Sequence, residues 1–454
     1  MIIGFVVIEN EKAIEWSFKI TVADYPDPPD GRNWKIIEPG VIPICNPLKG
    51  YVPYTGYYTT FEHSMEYDYI SVREVVIDSP TNLNFSLTDD FLSQVSALGH
   101  QAGFRLYFDF PGTSSTGVPQ YLIDDGLVMT PYDHEGGGLS PDYDDPRIVQ
   151  LMVSLIGEMG SRYDGDPRIG FIEVGLLGHW GEWHTYPRPE LFANKTTQNT
   201  VLASFDTAFN QTLLLARYPD EVTIQYNIGF HDDSFGYSTI GDNDWFFNNL
   251  IENAGAVSRW KEQPIGGEIY PPVMAELYVN PRSLSLFSSQ AQDLMDCIIT
   301  THASWTRNFK LFSPQNYNFT GEEIERARIT SKRFGYTFAI CRSLVNITSN
   351  PSYNIDASIQ VANFGVAPFY YPWPVEFGIL DQAGTPLQVI ASNHTLDGIF
   401  PGDEVIWSFQ SDQYFVDAKY IAVRVPNVMA GGLPVTFANQ GLLDEGWTVI
   451  DVVE

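Results

Sequence analysis

Two rhythms of apolar and polar positions run along the chain. From about residue 69, apolar runs of strand length alternate with stretches of helical spacing. The strand-like runs are 69–76, 104–110, 169–177, 222–228, 265–270, 297–302 and 336–340, with 309–312 as a weak eighth. Between them the spacing predicts helices over 90–99, 146–162, 201–218, 244–260, 284–295 and 321–333. In 146–162, for example, Ile148, Leu151, Met152, Leu155 and Met159 share one side. Near Cys341 the rhythm changes to short alternating runs at 355–361, 375–380, 404–409 and 420–425, separated by turn residues such as Pro401-Gly402.

The first rhythm predicts an α/β fold, a (β/α)8 barrel of the triosephosphate-isomerase type over 40–340. An open doubly wound sheet is the alternative, weakened by the lack of a Gly-x-Gly-x-x-Gly fingerprint. The second predicts an antiparallel β-sandwich over 341–454. Residues 1–39 form an N-terminal segment with a weak strand at 18–22 and a linker rich in Pro, Asp and Gly at 24–31.

Composition narrows the partners. With 25 Lys and Arg against 56 Asp and Glu, the net charge is −31. That excludes nucleic acid as a natural partner and disfavours an anionic membrane surface. No apolar stretch has the length of a membrane span, and no signal peptide is evident. Six Asn-x-Ser/Thr sequons, at Asn84, Asn194, Asn210, Asn318, Asn346 and Asn393, point to a secreted, extracellular glycoprotein. Cys45, Cys297 and Cys341 have neither disulfide-framework nor metal-ligand spacing. One pair plus a free thiol and three buried thiols are both open, and no bond between Cys297 and Cys341 is expected.

Barrel chemistry sits at the C-terminal ends of the strands. The segments expected there are 177–184 (Leu-Gly-His-Trp-Gly-Glu-Trp-His), 229–236, 266–270 and 301–305. Those segments and the Gly-rich loop at His134 hold five of the eight histidines: His134, His179, His184, His231 and His302. Aromatic faces stack on pyranose rings, and carboxylates and imidazoles bond their hydroxyls. Glycoside cleavage needs two carboxyl groups, one protonated and one ionised.

Glu182 and Glu268 are the expected catalytic pair, with Glu182 as acid on the strength of its flanking tryptophans. Trp180, Trp183, Tyr270, Trp305 and Tyr107 are the expected sugar-facing aromatics. His179, His184, His302, Asp232 and Asp233 are the hydroxyl partners, the two aspartates also standing as reserve acids. A plug in the barrel mouth, with Glu182 satisfied by backbone donors, is the competing reading. Glu173, and Arg105 with Asp109, are expected to pair inside the barrel. No cofactor and no metal site is expected, because no His-x-x-x-His pair lies on a helix. The partner is then a poly- or oligosaccharide, with the sandwich left free for self-association.

Several of these segments carry a resemblance. Asn46-Pro-Leu-Lys-Gly-Tyr51, the stretch from Gly170-Phe-Ile to Trp180-Gly-Glu-Trp183, Asp232-Asp-Ser-Phe-Gly236, Gly266-Gly-Glu268, 362–368 and Phe437-Ala-Asn439 look like motifs of the domain of unknown function 4832 family. The resemblance covers roughly residues 40–454. It implies a glycoside-hydrolase-like barrel followed by a β-sandwich. Glycoside hydrolases of clan A carry acid and nucleophile on the fourth and seventh strands. By the strand count above, Glu182 follows the third and Glu268 lies on the fifth, a departure from that pattern. A glycan-binding barrel without catalysis and a structural matrix or filament glycoprotein are the other function classes.

Overall fold

The computed structural model describes residues 17–56, 61–113, 115–278, 291–313, 318–349 and 353–453. Eight parallel strands form the first unit: β1 (Gly50–Val52), β2 (Met65–Ser71), β3 (Gln101–Asp109), β4 (Ile169–Glu173), β5 (Leu214–Ala216), β6 (Gly229–Phe235), β7 (Ile265–Ile269) and β8 (Trp305–Arg307). Each pairs with its neighbour from β2 round to β8, β8 pairs with β1, and a bridge from Tyr54 to Tyr67 closes the ring between β1 and β2. The expected (β/α)8 barrel is therefore present.

The outer layer is uneven. Helices α1 (Ser86–Ser96), α2 (Pro146–Tyr163), α3 (Lys195–Ala208), α4 (Phe247–Asn253), α5 (Leu294–Thr301) and α6 (Gly321–Arg333) follow or precede the strands. A single 3-10 turn, Thr223–Gln225, stands between β5 and β6. Local chemistry explains the long helices. In α2, Asp145 accepts from the Arg147 N–H and Pro146 opens the first turn, which fixes the start. Its apolar face, Ile148, Leu151, Met152, Leu155, Ile156 and Met159, is buried against the strands. α6 starts with a reciprocal capping box between Thr320 and Glu323.

Several elements differ from expectation. The run 222–228 precedes β6 rather than forming it. The run 297–302 belongs to α5, whose apolar positions follow helical spacing. The expected helix 201–218 ends at Ala208 and hides β5. The eighth strand is Trp305–Arg307 rather than 309–312. Most of the helix expected over 284–295 lies outside the described residues. At the N-terminus, Val22–Asp24 is a 3-10 turn, and Lys35–Ile36 pairs with the sandwich.

The sandwich has two antiparallel sheets. One contains β9 (Phe338–Thr348), β10 (Asn354–Asn363) and β13 (Glu404–Ser411); the other contains β11 (Pro374–Leu380), β12 (Pro386–Thr395), β14 (Tyr420–Arg424) and β15 (Thr448–Val452). The change of rhythm near Cys341 thus falls inside β9. Inward-facing residues of both sheets, among them Ile355, Ile359, Phe377, Trp407 and Phe409, form its core.

The sandwich closes the starting end of the barrel. Tyr371 donates its hydroxyl to the Gly170 carbonyl at 2.7 Å and accepts from the Leu213 N–H at 3.2 Å. Tyr371→Phe leaves both backbone groups without this partner and should cost about 1–3 kcal/mol, read as a shift of the urea midpoint.

Above that junction the barrel has an apolar floor. Phe171 and Trp305 stack at 4.0 Å between ring centres, beside Leu215, Val52 and Tyr67. The rings fit because β7 has glycine opposite them: a Cβ on Gly266 would lie 2.1 Å from the Trp305 indole. Gly266→Ala should therefore destabilise by about 1–3 kcal/mol through overpacking, measured by denaturant unfolding.

Candidate active site

Side chains alternate along each barrel strand, so residues two apart share the interior. Above the floor this places Arg105, Glu173, Asp233 and Arg307 in one buried layer. Arg105 donates to Glu173 and Asp233 at 2.9 Å each, to the Tyr69 hydroxyl at 2.8 Å, and to Glu182. Arg307 donates to Glu173 at 2.6 Å, to Asp233 at 2.9 Å and to Glu268 at 3.2 and 3.3 Å. Its guanidinium also lies 4.1 Å from the centre of the Tyr67 ring, whose face favours a cation. Arg217 stands 3.8 Å from both Asp232 and Asp233.

Three guanidiniums thus share five carboxyl groups, and two of those carboxyls reach the mouth. Glu182 arrives by an unusual loop. After β4, a short strand, Leu176–His179, pairs with the end of β3. Leu176, Gly178, Trp180, Gly181 and Trp183 then all adopt left-handed backbone conformations. Such angles are costly for residues with a side chain and persist where the surroundings enforce them. Here the Trp180 N–H donates to Asp109 O at 2.8 Å, the Trp183 N–H to Leu177 O at 2.9 Å, and the His179 N–H to His184 O at 2.8 Å. Gly181 presses on β3 so closely that a Cβ would lie 2.8 Å from the Leu106 carbonyl. The loop is folded tightly back over the barrel, with the Glu182 side chain 13% exposed beside Arg105.

Glu268 comes from β7 and is 9% exposed at its side chain. It accepts from the Tyr54 hydroxyl at 3.2 Å and from Arg307. Burial pushes its carboxyl up to about 7, with the charges of Glu182 and Asp233 adding to the effect and Arg307 opposing it. Burial and Asp233 also push on Glu182, but Arg105 and His184 outweigh them and hold it below its ordinary value. Asp233 is buried as well, yet His231, Arg105 and Arg307 hold it well below the usual carboxylate range. The two carboxyls are thus pushed apart, Glu182 towards its ionised form and Glu268 towards holding its proton up to about 7.

The ring gives the two glutamates different strand numbers from the sequence count. The strand carrying Glu173 is the fourth of the ring, so Glu182 follows the fourth strand, and Glu268 lies on the seventh. The departure inferred from the sequence count disappears. It arose because β1 and β5, three residues each, carry too short an apolar run to register.

Around the mouth, Trp180 is half-buried and faces Phe110 and His184 edge-on or tilted. Tyr270 stacks on Tyr237 at 4.5 Å. Tyr107 is half-buried against Phe110. His184 lies 3.4 Å from Glu182.

Other expected site residues are elsewhere. Trp183 is buried in the barrel core, its indole N–H donating to Gly175 O. Trp305 belongs to the floor. His302 caps α5 at the starting end of the barrel, stacked at 3.7 Å on Trp260 and bonded to Val366 O of the sandwich segment. None of the three faces the carboxylates, because α5 is a helix that puts His302 and Trp305 at the starting end of β8, and the loop turns Trp183 inward.

His179 is fully buried against Tyr132 and His134, with Asp109 at 3.6 Å, so a sugar cannot reach it. Asp232 points away from the interior and holds the loop after β6, accepting from Ser234 N–H and Thr239 hydroxyl. Asp233 is a member of the buried ion layer rather than a free acid.

Sequence reasoning missed Tyr54, Tyr69, Arg217 and Arg307 as parts of the site and gave Arg105 the wrong partner. Arg105 pairs with Glu173, Glu182 and Asp233, whereas Asp109 accepts from the Tyr132 hydroxyl at 2.6 Å. The signal was an arginine at an inward position of an otherwise apolar strand, as in Gly-Phe-Arg-Leu-Tyr and Trp-Thr-Arg. A cavity under the floor, lined by Leu48, Phe171, Trp305, Phe369 and Tyr371, lies at the opposite end from the carboxylates.

No family model and no curated protein matches the chain. Among solved structures, it is similar to endo-glycoceramidase II from Rhodococcus sp., with 10% identity, a TM-score of 0.43, and coverage of 80% of this chain and 96% of that one. A family 39 glycoside hydrolase from the gut symbiont Bacteroides cellulosilyticus WH2 matches at 11% identity and a TM-score of 0.38, over 82% of each chain. GH5_18 from Bifidobacterium longum matches at 14% identity and a TM-score of 0.38, over 63% of this chain and 78% of that one. Likeness at this distance leaves the reaction to be argued from the site's own groups.

Proposed function

We propose that the protein is a glycoside hydrolase whose carboxyl pair is Glu182 and Glu268, acting on an extracellular poly- or oligosaccharide. One observation carries the reading: two solvent-reaching carboxyls, after the fourth strand and on the seventh, lie in environments that push their protonation in opposite directions. Glu268 gives its proton to the leaving glycosidic oxygen as the C–O bond breaks. The Glu182 carboxylate supports the anomeric carbon or takes a proton from the attacking water. Trp180, Tyr270 and Tyr237 offer ring faces to the sugar, and Tyr54 and His184 orient the two carboxyls. The strand pattern alone would make Glu268 the nucleophile; the charge environment favours the opposite assignment.

The motifs that resemble the domain of unknown function 4832 family agree with a barrel of this kind. All six sequon asparagines are exposed, as glycan attachment requires, which supports the extracellular part of the reading.

A panel of aryl glycosides and polysaccharides tests the proposal, with a pH profile on whichever substrate turns over. Because Glu268 must be protonated, activity should fall as pH rises through about 7. Because Glu182 must be ionised, the acid limb should lie below its ordinary range. Asp109, also pushed up to about 7 by burial, is a rival source of the alkaline limb. The limb should therefore vanish from the residual activity of Glu268→Gln and persist in Asp109→Asn. A second reading, a barrel that binds glycans without cleaving them, draws on the ion pairs that both carboxyls make with arginine. Glycan binding by an inert wild type would favour it.

A further inference from the structure

A second group of polar residues lies at the other end of the barrel. The parallel register sets Met65 beside Gln101, so the residues just before β2 and β3 come together. His63 and His100 meet there, with Glu66 between them. One ligand atom from each of the three lies within 4.8 Å of the others. We propose that this group binds a divalent transition-metal ion of the zinc class, remote from the glycosidase site.

The hydrogen bonds show why a cation fits. His63 Nδ1 lies 2.9 Å from the Phe61 carbonyl oxygen, which can only accept. The ring proton is therefore on Nδ1, and Nε2 carries a bare lone pair. That Nε2 is buried, has no hydrogen-bond partner, and lies 4.0 Å from a Glu66 oxygen. Glu66 is fully buried, and among the described residues no lysine or arginine forms an ion pair with it. One of its oxygens is 3.2 Å from His100 Nδ1; the other is buried without a partner.

A buried carboxylate oxygen and a buried imidazole lone pair, both unpaired, are costly. A cation between them satisfies both at once. Two imidazoles and one carboxylate with an open fourth position suit zinc, cobalt or nickel rather than calcium or magnesium, which take oxygen ligands. The Nδ1–H bond to a backbone carbonyl is the outer contact that usually orients a ligating histidine. The His100 and Phe312 rings, centred 4.6 and 5.0 Å from that of His63, hold it in place. The histidine side chains remain 9% and 14% exposed, which leaves a way in.

The test uses the full chain stripped with chelator and titrated with Zn²⁺ by calorimetry. One ion should bind per chain, and the thermal midpoint should rise on binding. The double variant His63→Ala/His100→Ala should bind about 100-fold more weakly or not at all, and lose the thermal shift. His134→Ala, in the other histidine cluster, should keep both. Should the double variant fail to fold, crystals of wild type soaked in Zn²⁺ decide the matter. An anomalous peak about 2.0–2.2 Å from His63 Nε2 and a Glu66 oxygen supports the site. No saturable binding by folded wild type, undiminished binding in a folded double variant, or a peak elsewhere overturns it. None of these outcomes depends on glycosidase activity.

Discussion

Glu268→Gln should lower kcat on a substrate with a poor leaving group by about 10²–10⁴-fold while leaving the fold and glycan binding intact. The amide keeps the shape of the side chain and can still meet Tyr54 and Arg307, but it has no proton to give. On a dinitrophenyl glycoside, whose leaving group departs without protonation, the loss should shrink sharply. Glu182→Gln should be at least as costly and should not recover on the activated substrate, since its charge is required at the anomeric carbon. Steady-state kinetics of both variants on both substrate classes checks this pattern. Full activity in either variant would remove that residue from the mechanism.

The second large effect concerns stability. Arg307→Met removes one partner each from Glu173, Asp233 and Glu268 at once. Glu173 and Asp233 are almost completely buried, so the loss leaves the dry interior one positive charge short, with Arg105 as the guanidinium still bonded to both. The expected cost is about 3–5 kcal/mol in denaturant unfolding near neutral pH. The pH dependence has a definite sign. Losing the Arg307 cation raises the pKa of Asp233 and Glu268 in the folded state, so the folded variant takes up protons more readily than wild type. Its deficit should therefore be larger at pH 8 than at pH 5, where protonation removes the unpaired charge. A deficit independent of pH would mean that Arg307 contributes packing only.

The sandwich and much of the barrel were legible because long elements repeat a pattern. α2 and α6 follow helical spacing over many turns, and the sandwich strands alternate where one face meets the core. The short barrel strands were not legible. β1, β5 and β8 are three residues each and are defined by their hydrogen bonds to neighbours rather than by composition. Leu214–Ala216 continued an apolar helical pattern and was absorbed into it; Cys297 to Thr301 looked like a strand because β-branched and apolar residues cluster there.

The candidate pair was visible as carboxylates between aromatic and glycine residues. Its protonation pattern was not, since it depends on arginines and a tyrosine brought from β1, β3 and β8. The aromatic flanks that suggested Glu182 as acid do not surround its carboxyl: Trp183 turns into the core, and Arg105 sits beside the carboxylate instead.

Chemical rescue tests the central claim most directly. Glu182→Gly should be nearly inert on a dinitrophenyl glycoside, and added azide should occupy the vacated space and restore turnover. The product should be a glycosyl azide of inverted anomeric configuration, identified by proton NMR, while Glu268→Gly gives no inverted azide. Inverted azide from Glu268→Gly alone would reverse the two roles. Wild-type activity in Glu182→Gly without azide would contradict the account of this site.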